Sequence, residues 1–453
     1  MTEHVGIDTA ELNARQVLGA EAVLMEDAHG LFDLSETPAL RRRRLKEGRF
    51  RIYGILAILI SLSALALLVG STFLRALPVL SETQIGLDIT YDEALIDPQG
   101  TRDPDALRFA SYRPIIAEAL VEQVPQEGDR ATKRDLLQLM SAGAGFRLAE
   151  RVVDNPDLVG TTERVWLPTA SEINLYLTGR IDPDTPEEFR QLSDRQLRWT
   201  NALIENGQLR RRFNTTFFEN GDSREPELAG MLGALVGSFF VVLVCFALSF
   251  PLGVATATYL EEFAPKNRFT DFIEVNINNL AAVPSIVYGL LGLYMFLNVF
   301  GLPRSTPLVG GMVLALMALP IIIIASRASL RSVPPSVRAA ALGLGASRVQ
   351  TTFHHVVPLA MPGMLTGTII AMARALGETA PLLMIGMVAF IVDIPDGVTD
   401  AATTLPVQIF LWFDSPERAF QERASATIIV LLFFLVVMNL MAVLLRRRLE
   451  RRW

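Results

Sequence analysis

The sequence predicts an α-helical multi-pass membrane protein, with six transmembrane helices and an inserted α+β soluble domain after the first. Three observations predict it. Apolar residues fill 51% of the 453 positions, mean hydropathy is +0.35, and the apolar residues fall in blocks about as long as a bilayer is thick. Basic residues crowd the ends of alternate blocks, the asymmetry that orients membrane proteins. One long stretch, 75–227, interrupts the blocks with mixed strand-like and helix-like periods.

Residues 1–51 read as a cytoplasmic N-terminal tail, polar and acidic up to Leu40 with a modest helical pattern around 12–25. A cleaved secretory signal is not expected, because the apolar switch comes only after Arg41, Arg42, Arg43, Arg44, Lys46, Arg49 and Arg51. Directly before an apolar run, such a cluster is a positive-inside anchor rather than a nucleic-acid site, so no nucleic acid is expected as a partner. Residues 52–74 are the first transmembrane helix.

In the expected extracytoplasmic domain, 75–227, Ile85, Leu87, Ile89 and Tyr91 alternate like a strand. Residues 114–124 and 193–206 read as helices, the second with Ser193 as N-cap and Gly207 as its stop. Leu209, Arg211, Phe213, Thr215 and Phe217 alternate again. Arg210, Arg211 and Arg212 read as a solvated strand face, with an anion or lipid headgroup as the alternative. Nothing here forms a catalytic constellation.

Residues 228–445 read as the membrane core, with spans at 228–259, 272–300, 308–325, 359–390 and 426–445. Pro or Gly within the longer stretches permits a kink or an interfacial segment. Six crossings return the tail 446–453 to the cytoplasm. Lys266 and Arg268, then Arg327, Arg331, Arg338 and Arg348, then Arg446, Arg447, Arg448, Arg451 and Arg452 fall on that same side, while the loop 392–425 is mostly acidic. The lone Cys245 excludes an intrachain disulfide and any CxxC motif, and the four histidines lack metal-ligand spacing, so no metal and no cofactor is expected.

The cytoplasmic loop 331–358 is too polar to cross a bilayer. It reads as two short helices broken at an elbow, where Gly343 and Gly345 permit the turn and Ala339, Ala340 and Ala341 allow close approach. It resembles the loop that ABC-transporter permeases push into their ATPase, whose pattern is Glu-Ala-Ala, three residues, Gly, nine residues, Ile-x-Leu-Pro. Ala340, Ala341, Gly345 and Pro358 match; Ala339 replaces the acid, His355 the Ile and Val357 the Leu. His354 and His355 read as surface or docking residues.

Three further blocks narrow the resemblance: YLEEFAP at 259–265, NINNLAAVPSIVYGLLGL at 276–293 and ARALGETAPL at 373–382. Over about 228–448 the chain resembles the phosphate-specific permeases of bacterial ABC importers, in particular the subunit that pairs with a second, homologous permease. The resemblance implies a multi-pass inner-membrane subunit moving inorganic phosphate. Its implied partners are that second permease, a cytoplasmic ATPase dimer, a periplasmic phosphate-binding protein and membrane lipid. The chain has no GxxxxGK[ST] loop, so ATP hydrolysis is expected on the partner and the chain is not itself an enzyme.

Arg374 and Glu378 stand four apart on one helix face inside a span, where a charge costs several kcal/mol and faces a cavity or a partner. Arg374 offers a planar multi-donor cation to an oxyanion, and Glu378 orients it and weakens its grip. The alternative is a buried pair that only fixes packing. Thr379, beside Gly377 and Pro381, lies in a loosened helix. Ser285 and Tyr288, next to Pro284, supply hydroxyls near mid-span, against the alternative of apolar packing with Gly289 as a helix contact. In the loop, Arg338, Ala340, Ala341, Gly343, Gly345 and Pro358 are the expected ATPase-coupling residues. A permease of this fold for another oxyanion such as molybdate or sulfate, a secondary transporter and a membrane sensor are the competing readings. The chain shows no clear inverted repeat.

Overall fold

The computed structural model describes residues 38–124 and 130–449. The pattern around 12–25, Arg451 and Arg452 lie outside the described residues. The chain forms two compact units, residues up to Gly70 and residues from Ser71 onward. The first contains most of helix α1 (Pro38–Ala76). Its exposed Ile52, Leu56, Leu59, Leu62 and Leu67 make it apolar all round, as a helix surrounded by lipid must be.

In the second unit the insert is built on a small antiparallel sheet of strands β1 (Ser81–Thr90), β2 (Thr162–Pro168) and β3 (Leu209–Phe213), in the order β2-β1-β3. The alternation expected at 85–91 forms the central strand: Ile85, Leu87, Ile89 and Tyr91 are all fully enclosed, each apolar side chain contributing about 1.5–3 kcal/mol of burial. Ile85 pairs with Leu167 on one side and Leu209 on the other. Helices α2 (Arg113–Gln123), α3 (Ala144–Asp154), α4 (Ser171–Leu177) and α5 (Asp194–Glu205) cover the sheet. Ser193 caps α5 in a reciprocal box with Gln196, and Gly207 ends it at φ +65°. β3 is an exposed edge: Arg210 donates to Gln84 Oε1 at 2.8 Å and lies over the Trp166 ring at 4.2 Å, and Arg211 donates to Ser81 Oγ at 2.7 Å.

The insert is not closed off from the membrane core. Ala419, at the head of the last long helix, sits in the same apolar cluster as Ile85 and Leu203. A second cluster joins Val79 and Phe217 to Trp412, Phe420 and Ala426. Trp412 Nε1 donates to Asp222 Oδ1 at 3.0 Å, and the enclosed Arg423 donates to the Ala229 carbonyl at 2.5 Å.

The six expected spans correspond to five long apolar helices and one bent pair. α6 (Leu232–Thr258) passes through Pro251 unbroken and ends in a π turn, Tyr259–Phe263. The span expected at 272–300 is two helices, α7 (Arg268–Ala281) and α8 (Ser285–Gly292), meeting at 101°. The cause is local. Pro284 supplies no N–H to continue α7 and biases Val283 away from helical geometry. Tyr288 Oη then donates to the Leu280 carbonyl at 2.8 Å across the bend, a carbonyl that also accepts from Val283 N at 3.1 Å, and so staples the two helices together.

α9 (Pro307–Ser332) packs against α6, α7 and α8 and against the helices at 357–376 and 380–384. After the short α10 (Pro335–Gly343) and α11 (Arg348–Thr351), α12 (Val357–Leu376) stops earlier than the expected 359–390 span. A break at 377–379 leads to the short α13 (Ala380–Met384), because Pro381 cannot extend α12 and fits only a new first turn. α14 (Leu405–Asp414) and α15 (Arg418–Leu449) follow, the latter starting a full two turns before the expected 426.

One ion pair within the insert gives a test. Arg151 grips Glu163 with Nε at 2.7 Å and Nη2 at 3.0 Å, while Tyr91 Oη donates to the same carboxylate at 2.7 Å. Hydrogen bonding from Arg151 holds the Glu163 carboxyl below the usual carboxylate range. A depressed folded pKa stabilises above the unfolded value and is lost as pH falls through the folded one. Glu163→Gln therefore lowers the thermal midpoint of the purified chain near neutral pH by about 1–3 °C, about 1 kcal/mol or less because Arg151 is half exposed. The gap to the wild type narrows as pH drops below about 4; scanning calorimetry across pH reads both effects, and a gap that widens in acid contradicts the assignment.

Candidate functional site

The geometry at mid-bundle follows from the end of α12. Gly377 N donates to the Arg374 carbonyl at 3.1 Å and Glu378 N to the Ala375 carbonyl at 3.2 Å, so the chain leaves the helix in a tight turn rather than continuing. Arg374 therefore lies in the last turn of α12 and Glu378 just beyond it. Arg374 Nε stands 3.6 Å from Glu378 Oε1, close enough for attraction and too long for a hydrogen bond. The Arg374 side chain is 52% exposed and that of Glu378 19%. Among the described residues no hydrogen bond to the Arg374 guanidinium is found, which leaves its donor fork open.

α8 is held directly against this break. A Cβ on Gly289 would lie 2.7 Å from Pro381 Cα and 3.0 Å from Met384 Cβ, so only glycine allows α8 and α13 to touch there. The two sequence blocks PSIVYG and ETAPL thus meet. Ser285 opens α8 half-buried, and Thr379, half-buried, precedes α13 without capping it through its side chain. Tyr288 is buried with its hydroxyl committed to the Leu280 carbonyl, so the structure gives it a bend-stapling partner. Asn276 bonds the Phe272 carbonyl at 2.7 Å; Asn278 and Asn279 are exposed. On another face of α12 an apolar cavity of about 220 Å³, lined by Phe246, Leu365, Met372 and Leu376, offers no cation to an oxyanion.

The second site is the loop at the far end of the core. α10 turns Arg338 and the buried Ala341 inward and leaves Ala340, Leu342 and Gly343 exposed. Leu344 is 91% exposed, with Val349 and Phe353 also bare. Gly345 adopts φ +86°, the left-handed conformation the elbow requires, whereas Gly343 lies within α10 with open space around it; the expectation that both glycines make the elbow holds for Gly345 alone. Ser347 and Gln350 form a capping box that starts α11, and Pro358 sits half-buried in the first turn of α12. His354 and His355 are exposed. Among the described residues no group of His, Cys, Asp or Glu could hold a metal.

Sequence reasoning missed what Arg338 does and which residues accompany it. Arg338 Nη2 is 2.7 Å from Glu262 Oε1 and 2.9 Å from the Leu330 carbonyl, and Nη1 is 2.7 Å from the Val333 carbonyl. Arg331 Nε reaches both oxygens of Glu261 at 3.0 Å. Arg327 lies 3.5 Å from Glu261 and pairs through Nη2 with Glu274. The available signal was adjacent carboxylates closing one apolar block while arginines four apart closed another; charge counting read Arg327 and Arg331 as orientation marks, and the resemblance read Arg338 as an ATPase-coupling residue.

A polytopic helical core, with an open guanidinium at a mid-span helix break and an apolar knob at one end, defines a membrane transport subunit. Comparison with known proteins places it further. Residues 249–453 match the family described as binding-protein-dependent transport system inner membrane component, and residues 37–187 match a domain of unknown function. The chain is 31% identical over 222 residues to phosphate transport system permease protein PstA 1 of Mycobacterium tuberculosis, covering 49% of this chain and 72% of that one. It is 33% identical over 190 residues to the PstA protein of Haemophilus influenzae, covering 42% and 66%. It is 38% identical over 154 residues to the probable ABC transporter permease protein YqgI of Bacillus subtilis, 34% of this chain and about half (52%) of that relative's length. An inward-facing methionine ABC transporter matches 49% of this chain and 98% of its own at 15% identity and a TM-score of 0.40. The chain belongs to the family of binding-protein-dependent transport inner-membrane permeases, multi-pass proteins of the inner membrane.

The two loop glycines separate cleanly in mutagenesis. Gly345→Ala forces an L side chain into φ +86° and costs about 1–2 kcal/mol, while Gly343→Ala within α10 is neutral or stabilises by up to about 1 kcal/mol. Thermal midpoints of the two purified variants give the comparison; equal midpoints contradict it.

Proposed function

We propose that this chain is one permease subunit of an ATP-driven importer of inorganic phosphate. In this reading residues 1–51 and 446–453 are cytoplasmic, 52–74 is the first span, 75–227 faces outside, 228–445 is the translocating core, and 331–358 docks a cytoplasmic ATPase dimer that hydrolyses ATP. A second, homologous permease completes the pathway, and a periplasmic phosphate-binding protein delivers the ion. The identities to proteins named as phosphate permeases support the substrate.

The observation that carries the proposal is the state of Arg374. A half-exposed guanidinium without hydrogen bonds is costly inside an apolar bundle facing lipid. The same cation lining an aqueous route between two permeases is well placed, because its fork matches two oxygens of a tetrahedral oxyanion. Glu378, at 3.6 Å, competes with that anion and keeps binding reversible. Ser285 and Thr379 near the α8–α13 contact supply neutral donors. Tyr288 contributes by holding the α7–α8 bend. Alternating access follows when ATPase closure, received at Leu342, Leu344, Val349 and Phe353, shifts α12 and re-exposes Arg374 on the opposite side.

Uptake of labelled phosphate into vesicles carrying the chain with its neighbouring-gene partners, with sulfate and molybdate as competitors, is the test. Phosphate-selective, ATP-dependent uptake is expected. Arg374→Ala lowers it by about 10- to 100-fold with the complex still assembled, the worth of one charge-assisted contact, and Arg374→Lys retains an intermediate rate. Selective uptake of sulfate or molybdate replaces the substrate, uptake without ATP overturns the mechanism, and full activity in Arg374→Ala removes that residue from the pathway.

A further inference from the structure

The ion pairs at the loop end are arranged asymmetrically about the elbow, and the asymmetry has a mechanical meaning. We propose that Glu262–Arg338, continued by Glu261–Arg331 and Arg327–Glu274, makes α10 one rigid body with the ends of α6 and α9 and the middle of α7, and that Gly345 is the pivot that lets α12 move against it. The inference rests on the reading of 331–358 as the ATPase-docking loop and adds which residues carry the motion.

The inward and outward faces of α10 have separate tasks. Arg338 and Ala341 face the bundle, and Arg338 spends its donors on Glu262, the Leu330 carbonyl and the Val333 carbonyl. It is 25% exposed and its partner Glu262 11%, so neither presents a free charge to a docking protein. The docking face is the apolar set Leu342, Leu344, Val349 and Phe353. A push on that face reaches α6 through Glu262, in the π turn that ends it, and α9 through Leu330 and Val333. Glu261 lies between Arg331 and Arg327, and Arg327 continues to Glu274 in α7. Three carboxylates and three guanidiniums thus tie α10 to the ends of α6 and α9 and to the middle of α7. Linked pairs with forked geometry resist displacement better than isolated surface pairs.

Beyond the elbow the connection changes character. Among the described residues no side-chain hydrogen bond or ion pair joins α10 to 346–376. Val337 packs against the apolar cluster that contains Val356 and Val357, and apolar surfaces slide with less penalty than directional bonds break. Gly345, at φ +86° with no atom within 4 Å of where a Cβ would stand, has room to swing. α12 carries Arg374. The structure therefore assigns Glu262 and Arg338 as positioning residues for translocation rather than contacts to the ATPase or to phosphate.

The test uses the complete transporter in proteoliposomes, with Glu262→Gln, Arg338→Gln and the double variant. It reads three quantities: ATPase retained on co-purification, ATP hydrolysis stimulated by phosphate-loaded binding protein, and phosphate moved per ATP. All three variants are expected to retain the ATPase at wild-type amounts and to lower phosphate moved per ATP several-fold, the double variant no further than either single one. If a Gln variant fails to assemble, Arg338→Lys decides, since it keeps the charge but loses the fork; a ratio between those of wild type and an uncoupled transporter is expected. An unchanged ratio, additive losses in the double variant, or loss of the ATPase on removing either charge by a substitution that still folds, overturns the proposal. A wild-type complex that shows no ATP-driven phosphate uptake sinks the functional reading itself, an outcome separable from all of these.

Discussion

The clasp of Glu262 by Arg338 is the interaction on which the rest of the core depends. The C-terminal ends of α6 and α9 lie in the same region, where α7 and α10 begin, and a C-terminal end leaves carbonyls that the helix cannot satisfy internally. Arg338 takes two of them, from Leu330 and Val333, and one carboxylate, with a single planar group. A lysine has no such fork. Glu261, Arg331, Arg327 and Glu274 extend the arrangement so that charge is balanced within the cluster and no ion is left alone against apolar side chains. α9, whose end lies in that cluster, runs through the centre of the core, and the contact of α8 and α13 at Gly289 is built upon it.

The opposite design holds at Arg374. There the fork is empty, the one carboxylate stands beyond hydrogen-bond distance, and the helix stops rather than being clamped. One end of the core is made of satisfied charges and the middle carries an unsatisfied one. In the proposed transport reading, rigidity where force enters and openness where an ion passes are opposite requirements, and the same residue types meet them through different spacing.

Much of this was legible in the chain because it depends on local chemistry. The alternation from Ile85 to Tyr91 is a strand because period two admits nothing else at that length, and Ser193 with Gln196 and Gly207 announces both ends of α5. The PSIVYG and ETAPL blocks marked the α8–α13 junction, although their meeting at Gly289 is a tertiary fact. The 101° bend was hidden because Pro284 in an apolar run is compatible with a kinked span as well as with two helices, and the hydroxyl of Tyr288, which stabilises the bend, looks equally like a ligand. Gly343 and Gly345 are indistinguishable on paper; only φ separates them. Nothing in the sequence singles out Arg423 in the mostly acidic stretch 392–425, yet it is enclosed, facing Glu82, Asp222, Glu227 and Glu422.

That last residue bears on how the polypeptide is made. The insert precedes the membrane core in the chain, but its apolar cluster is finished by Ala419, and Asp222 and Glu227 at its C-terminal end face Arg423, whereas Glu82 has Arg147 within the insert. Synthesis runs from the N-terminus. The insert therefore leaves the ribosome with a gap in its core and with Asp222 and Glu227 lacking Arg423, and both persist until the start of the last helix has been translated. Its completion is a late event in biogenesis, and a ribosome stalled before residue 419 releases a domain that has its sheet but not its floor.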